Sequence, residues 1–357
     1  MNTEKIDIFS MDEDALAEEF VIRYGKGLFH ARATLRHLYT EGSLENLPSS
    51  RDFFDNPSLA DKIRTDFCDA LPPIGLSLKE NGTIKSTLSL RDGSSIEFVI
   101  IPMKEHTTLC VSAQVGCARG CAFCRTAHMG FTRNLSAGEI VAQYMTARFI
   151  YKADIQNIVF MGMGEPMDNL ESVLSAIDIF TDPRGPGILH KRISISTCGQ
   201  CKGLETLYRR ILEAPKKNYH LITLSISLHA LNNSLRDRLM PVNIQWPLEV
   251  LKERLLSLPH SRDKDKIYFE YMVIPSVNDS EKDALALSEF IAGIPAKVNL
   301  IAFSAPENSP WKSATKAEVD QFWLYLRKLN VPCFNRKSKG QNIQASCGQL
   351  ATEGVRI

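Results

Sequence analysis

The chain has 357 residues, 44% of them hydrophobic and 23% charged, with 42 Lys and Arg against 41 Asp and Glu. That length accommodates one large core and a smaller appended domain, and the charge balance excludes a polyelectrolyte, so any nucleic-acid-binding face has to be local. No apolar run reaches the roughly 18 residues of a membrane-spanning helix, and Met1-Asn2-Thr3-Glu4-Lys5-Ile6-Asp7 lacks a basic-then-apolar signal pattern, so no membrane partner and a cytoplasmic location are expected.

Leu16, Phe20, Val21, Ala31, Leu35, Leu38, Leu59, Ile63 and Phe67 recur at three- and four-residue intervals, which predicts a small helical domain over 1–72. Pro72-Pro73 ends it, because tandem prolines lack amide donors and restrict the preceding residue. Strands over 83–90 and 95–101 flank Arg91-Asp92-Gly93-Ser94, a hairpin signal, and 73–107 is read as a β-hairpin extension or linker. From 108 to 345, strand-like and helix-like segments alternate. Strands are expected near 109–115, 157–161, 192–196, 221–228, 267–273 and 297–303, with amphipathic helices such as 137–150 and 281–292 between them. Alternating units imply an α/β fold with a parallel sheet, and about six of them favour a partial (β/α)6-type barrel over a closed eight-fold one, with its site at the C-terminal strand ends. The chemical motifs fall at those ends. Residues 346–357 form a separate C-terminal segment.

The most specific signal is Gly116-Cys117-Ala118-Arg119-Gly120-Cys121-Ala122-Phe123-Cys124, a Cys-x3-Cys-x2-Cys loop. Nine cysteines in a chain of this size, without a secretion signal, favour metal or redox chemistry over a disulfide framework. Three thiolates can hold three irons of a cubane cluster whose full ligation needs four. The fourth iron would then be open to a small molecule, which it could reduce by one electron. Two other readings stand beside this one: a structural zinc, with His128 as the only near fourth ligand and without the usual paired spacing, and three buried apolar cysteines. Cys198 and Cys201 form a further Cys-x2-Cys pair, read as incidental thiols at a helix start, and Cys68 and Cys333 are read as core residues.

The cysteine loop runs on into Thr126-Ala127-His128-Met129-Gly130-Phe131-Thr132-Arg133-Asn134-Leu135. Phe160-Met161-Gly162-Met163-Gly164-Glu165-Pro166, Ser225-Ile226-Ser227-Leu228-His229-Ala230 and Ala345-Ser346-Cys347-Gly348-Gln349-Leu350 follow in order, and Asn81-Gly82-Thr83-Ile84-Lys85 precedes them. Together these motifs closely resemble the RlmN/Cfr family of radical S-adenosylmethionine RNA methyltransferases, over roughly residues 81–350. Before that, only Gly27-Leu28-Phe29-His30-Ala31-Arg32 is similar to the family's small N-terminal helical domain. The resemblance implies a radical S-adenosylmethionine barrel, a [4Fe-4S] cluster and S-adenosylmethionine as cofactors, RNA as partner, a flavodoxin-type electron donor and a monomeric enzyme.

Position by position, the resemblance makes Cys117, Cys121 and Cys124 the cluster ligands and Gly164, Glu165, Ser196, Ser227, Leu228 and His229 the S-adenosylmethionine contacts. Glycine would let the backbone approach the methionine amine, and glutamate would accept its hydrogen bonds. In isolation, Gly164 and the serines would pass as turn residues and His229 as a satisfied loop histidine. Carbon 2 of adenine is electron-poor and has no lone pair, so it cannot attack a sulfonium methyl group as an amine would; a radical route avoids that barrier. Cys347 matches the cysteine that takes a methyl group by displacement. A 5'-deoxyadenosyl radical from a second cofactor molecule then removes hydrogen from the S-methyl group, and the carbon radical adds to the ring. Cys110 matches the cysteine that frees the product through a transient disulfide with Cys347, and Glu97 the acceptor of the ring proton, although alone Glu97 reads as an exposed strand carboxylate.

Ser304 stands where the family usually has asparagine, which puts that cofactor contact in question, and the chain ends at Ile357, short of the family's basic tail. Pro166 favours the RlmN-like branch, which methylates adenosine carbon 2 in 23S ribosomal RNA with transfer RNA as a further target, over the Cfr-like branch, which methylates carbon 8. Arg125, His128, Arg133, Arg336, Lys337 and Lys339 are the local cations that would neutralise phosphate. The target base would be extruded into the barrel mouth, because its carbon is hidden in the stack. Two other classes compete: a radical enzyme acting on a peptide or small metabolite, which would not need the Cys110 and Cys347 pair, and a zinc-bound RNA-binding module without catalysis.

Overall fold

The computed structural model describes residues 5–258, 267–305, 309–336, 339–340 and 342–352. One ten-stranded sheet organises them: β1 (Ile74–Glu80), β2 (Thr83–Ser89), β3 (Ser95–Pro102), β4 (Thr107–Cys110), β5 (Ile155–Phe160), β6 (Ile193–Thr197), β7 (Thr223–Ser227), β8 (Ile267–Val273), β9 (Ala296–Ala302) and β10 (Cys333–Arg336). The strands lie side by side in chain order. β1 to β4 pair antiparallel, whereas β4 to β10 pair in parallel throughout.

Parallel neighbours need long crossovers, and helices Ala137–Met145, Leu170–Thr181, Cys201–Glu213, Leu248–Ser257, Glu281–Ile291 and Lys316–Lys328 lie in them. Ser136 with Glu139, Ser280 with Asp283 and Thr315 with Glu318 form capping boxes that fix three of the helix starts. A central strand such as β8 is buried at every position but Tyr268, and its buried row is apolar except for Glu270.

The hairpin foreseen around Asp92-Gly93 is present, and its strands extend the barrel sheet itself. β1 and β10 were not foreseen. β1 is a largely exposed edge strand without clean alternation, and β10 is only four residues long. The strand expected over 109–115 stops at Cys110: the Ala113 amide turns to the Met163 carbonyl at 2.9 Å, and Gln114–Gly116 forms a separate antiparallel ribbon with Phe131–Asn134.

At the N-terminus, helices Glu13–Tyr24, Leu28–Glu41 and Pro57–Asp66 bury the periodic residues Leu16, Phe20, Ala31, Leu35, Leu38, Leu59 and Ile63, while Val21 lies off that stripe and is 57% exposed. Their core is continuous with that of the sheet. No helix among the described residues is long and apolar enough to cross a membrane.

Register sets up the site. Val99 pairs with Cys110, Cys110 with Val159, Val159 with Ser194, Ser196 with Ser225, Ser227 with Glu270, Met272 with Ile301, and Ile301 with Arg336. Cross-strand partners share a face and side chains alternate with period two. Glu97, Cys110, Ser196, Ser227, Glu270 and Arg336 therefore all stand on one face of the sheet.

Candidate active site

The cysteine loop is shaped by its turns and pinned from three directions. At Gly116 φ is +75°, and a Cβ there would stand 1.8 Å from the Gly130 carbonyl oxygen, so only glycine fits. Backbone amides of Cys117, Ala122 and Arg125 donate to the carbonyls of Gly130, Leu239 and Gly348 at 2.8, 2.9 and 2.8 Å. Cys117, Cys121 and Cys124 are free thiols that line one cavity. Burial pushes the Cys117 thiol up to about 12 and raises Cys121 and Cys124 as well; Cys124 adds to the rise at Cys117 and Cys121, and Cys347 adds to the rise at Cys124. Such a trio becomes a set of thiolates only with a positive centre between them, which is what an iron-sulfur cluster provides. Among the described residues, no three His, Cys, Asp or Glu side chains converge on a single-ion position. Three free thiols of one loop facing one cavity are the donor type that holds an iron-sulfur cluster.

The rest of that cavity comes from the strand ends: Gly164, Glu165, Ser196, Ser227, His229, Glu270 and Arg336, with Cys347 reaching in from the C-terminal segment. Gly164 has φ +95°, and a Cβ there would come within 2.5 Å of Gln114 Cβ. The Glu165 carboxylate is almost fully buried; it accepts the Met167 and Cys198 amides at 3.0 and 2.8 Å, while its own amide donates to Gln114 Oε1 at 2.8 Å. Burial raises its pKa, and the Cys198 amide opposes that rise. His229 occupies the left-handed region at φ +57°. Its Nδ1 accepts the Met272 amide at 3.1 Å, and Phe123 meets the ring edge-on at 4.9 Å between centroids. Burial lowers the His229 pKa to about 3, so the ring is neutral with its proton on Nε2.

Leu228 and Ser304 are placed differently. The Leu228 side chain belongs to the core, and its backbone carbonyl accepts Arg236 Nε at 3.1 Å. The Ser304 hydroxyl accepts Gln349 Nε2 at 3.0 Å and lines a second cavity of about 570 Å³. Cys347, the exposed thiol among the nine cysteines, lines both cavities, as do Phe123, Met272, Ile301 and Arg336. Cys110 is buried below them. Burial pushes its thiol up to about 12, the neighbouring Cys347 adds to the rise, and Arg336 opposes it. Glu97 is 3% exposed rather than a surface carboxylate; it pairs with Lys85 Nζ at 3.2 Å and accepts the Ala351 amide at 3.0 Å.

Sequence reasoning missed Glu270 and placed Arg336 among the cations of an outer RNA face. Glu270 Oε1 accepts Asn299 Nδ2 at 2.9 Å, Oε2 lies 3.5 Å from Arg336 Nη1, and both side chains face the cavity. Only strand register, not motif spacing, could have found this pair. Arg133 is likewise engaged internally, by Asp92 at 2.6 Å and Glu139 at 2.8 Å. Arg125 donates to Gln344, Lys339 donates to the Pro102 carbonyl, and His128 is exposed. Lys337 lies outside the described residues. Cys198 lines the cavity of the three loop cysteines rather than standing apart, Cys333 is buried as expected, and Cys68 is half-buried with Arg91 Nη2 2.9 Å from its sulfur.

A parallel sheet with three clustered thiols at its C-terminal rim defines a radical S-adenosylmethionine enzyme, and residues 111–287 match the family described as the Radical SAM superfamily. The chain is 38% identical to the dual-specificity RNA methyltransferase RlmN of Desulfotalea psychrophila, over 99% of this chain and 96% of that protein. It is 40% identical to the protein of the same name from Syntrophobacter fumaroxidans, over 94% and 95%. The crystal structure of a radical SAM methyltransferase from Sphaerobacter thermophilus superposes with a TM-score of 0.86 at 30% identity, covering 98% of this chain and all of that one. The chain belongs to the RlmN family of radical S-adenosylmethionine methyltransferases. Its cofactors are a [4Fe-4S] cluster and S-adenosylmethionine.

Proposed function

We propose that this enzyme methylates carbon 2 of an adenosine in 23S ribosomal RNA, with transfer RNA as a further substrate, through an S-methylated Cys347. The observation that carries the reading is Cys347 itself, an exposed thiol on the wall shared by the cavity with the three clustered cysteines and the 570 Å³ cavity beside it. One chamber suits the cofactors and the other a substrate base. The relatives named as dual-specificity RNA methyltransferases support RNA as the substrate.

Cys117, Cys121 and Cys124 would hold the cluster. When bound, the cofactors supply an electron, a methyl group and a hydrogen-abstracting radical. Gly164 would let the cofactor's methionine end approach the backbone, and Glu165, already oriented by two amides, would accept its ammonium. Ser196, Ser227 and the Nε2–H of His229 offer donors along the same rim. Leu228 would contribute through the backbone that Arg236 fixes. Cys347 Sγ takes the methyl group by displacement, and its S-methylene carbon joins the adenine ring. Glu97 accepts the ring proton, and the adduct's surplus electron would pass to the bound redox cofactor; the Cys110 thiolate then attacks Cys347 sulfur, the sulfur–methylene bond breaks, the freed carbon takes up a proton to become the methyl group, and a cellular thiol reduces the disulfide that remains. Arg336 lies beside Cys110 and favours its thiolate. A flavodoxin-type protein is the expected electron donor, the enzyme acts as a monomer, and its place is the cytoplasm.

The test is anaerobic reconstitution followed by incubation with reductant, S-adenosylmethionine and RNA from cells lacking the gene, with nucleosides read by mass spectrometry. Appearance of 2-methyladenosine, lost in Cys347→Ala, is expected. Formation of 8-methyladenosine would overturn the carbon 2 assignment, and cofactor cleavage without any altered base would overturn the RNA substrate.

A further inference from the structure

We propose that Lys85 is a positioning residue: it keeps Glu97 as a charged latch on the C-terminal segment, and the latch sets where Cys347 stands. Register brings the pair together. Lys85 on β2 pairs with Val99 on β3, two residues beyond Glu97 on the same face, so the long side chains meet on a diagonal. Lys85 Nζ lies 3.2 Å from one Glu97 oxygen, with the two side chains only 7% and 4% exposed. The other oxygen accepts the backbone amide of Ala351 at 3.0 Å.

The backbone after Cys347 is held by other elements at three points among the described residues: the Gly348 carbonyl by the Arg125 amide, the Leu350 carbonyl by Thr126 Oγ1 at 2.6 Å, and the Ala351 amide by Glu97. Of these acceptors and donors, only Glu97 carries a charge, and a charge-assisted hydrogen bond is roughly twice as strong as a neutral one. A carboxylate this buried stays ionised only with a partner. Lys85 from β2 is that partner, with Arg125 from the turn after the cysteine loop as a weaker influence and the Ala351 amide as the remaining contact. Cys110, opposite Val99, shares the face on which the pair lies. The latch thus ties the strand row that carries Cys110 and the proposed base to the segment that carries Cys347. Its catalytic consequence rests on the function proposed above; the latch itself does not.

Amide hydrogen exchange at Ala351 in the cluster-reconstituted protein is the direct readout. Lys85→Met should speed exchange there about tenfold, the difference between a charged and a neutral acceptor, and Lys85→Arg should restore protection. In Glu97→Gln the charge is already gone, so adding Lys85→Met should change exchange less than twofold. After correction for intrinsic exchange, wild-type protection should fall as Glu97 is protonated at low pH, and Lys85→Met should move that loss to higher pH. Unchanged Ala351 exchange in folded Lys85→Met overturns the proposal, as do effects of the two substitutions that simply multiply. Should Lys85→Met alone fail to fold, the comparison of Glu97→Gln with the neutral double variant still decides: a change of about tenfold between them refutes the latch. Failure to methylate RNA would sink the function above without touching this exchange pattern.

Discussion

Replacing Arg236 with leucine should destabilise the protein by about 3–5 kcal/mol and weaken cofactor binding, although Arg236 is not one of the proposed cofactor contacts. Its side chain is fully buried, and burial lowers its pKa from the ordinary value. It donates to the carbonyls of Leu228 at 3.1 Å, Cys198 at 2.8 Å and Ser227 at 3.2 Å, and to Asn243 Oδ1 at 2.9 Å. Leucine leaves all four acceptors without that donor. The Leu228 carbonyl keeps the Ala230 amide at 2.7 Å, so the main loss falls on Cys198, Ser227 and Asn243, at about 1–3 kcal/mol for each buried acceptor left unmade and partly offset by removal of a buried charge. Those carbonyls flank Ser196, Ser227 and His229, so the same substitution should raise the cofactor KM more than it lowers kcat. Arg236→Lys keeps the charge but not the planar fork that reaches several acceptors, and should lose about half as much. Urea unfolding of wild type and variants, with cofactor titration of the reconstituted enzymes, measures both effects. A loss below about 1 kcal/mol together with an unchanged KM would refute the reasoning.

His229 is buried neutral with a pKa lowered to about 3 from 6.5, so unfolding lets it gain a proton. Its contribution to stability is complete above about pH 6.5 and is lost toward pH 3 at up to about 1.4 kcal/mol per pH unit. His229→Asn, which tolerates the left-handed backbone, should flatten the urea midpoint between pH 6 and pH 4, and equal slopes would refute the assignment. Gly116→Ala forces a Cβ against the Gly130 carbonyl and should cost about 2 kcal/mol or more and prevent full iron loading; a variant with normal iron content would show that this turn does not place the cysteines. Cys198→Ser keeps the amide that holds Glu165, so iron content and cofactor KM should stay within about threefold, and a larger loss would make the thiol part of the site.

The central architecture was readable because its signals are local. Apolar runs bounded by turn residues gave β5 to β9 to within a few residues, and the Asp92-Gly93 turn gave the hairpin. β10 escaped because four residues with two exposed side chains carry no periodicity; its existence depends on pairing with β9. The strand through 111–115 was over-extended for the opposite reason. Val111, Ala113 and Val115 are buried and look like strand, but hydrogen bonds with Gly162 and Met163 in the turn after β5 take that backbone out of the sheet.

The site shows the same division between what is local and what is not. The cysteine loop is nine residues of contiguous sequence, so spacing alone announces three thiols that can share a metal centre. Motif matching transfers residue types to positions, but it does not say which atom of a residue is presented. Leu228 illustrates this: its side chain is core, and what it offers the rim is a carbonyl fixed by Arg236. Ser304 faces the second cavity beside Gln349, so the difference from asparagine bears on that chamber. Glu270 and Arg336 lie 66 positions apart and form a pair only because β8, β9 and β10 align Glu270, Met272, Ile301 and Arg336 on one face. Charge buried on the inward face of a parallel sheet is costly unless partnered. Once register is known, two buried carboxylates of that face find their cations, Glu97 in Lys85 and Glu270 in Arg336, one pair on each side of the proposed cofactor contacts.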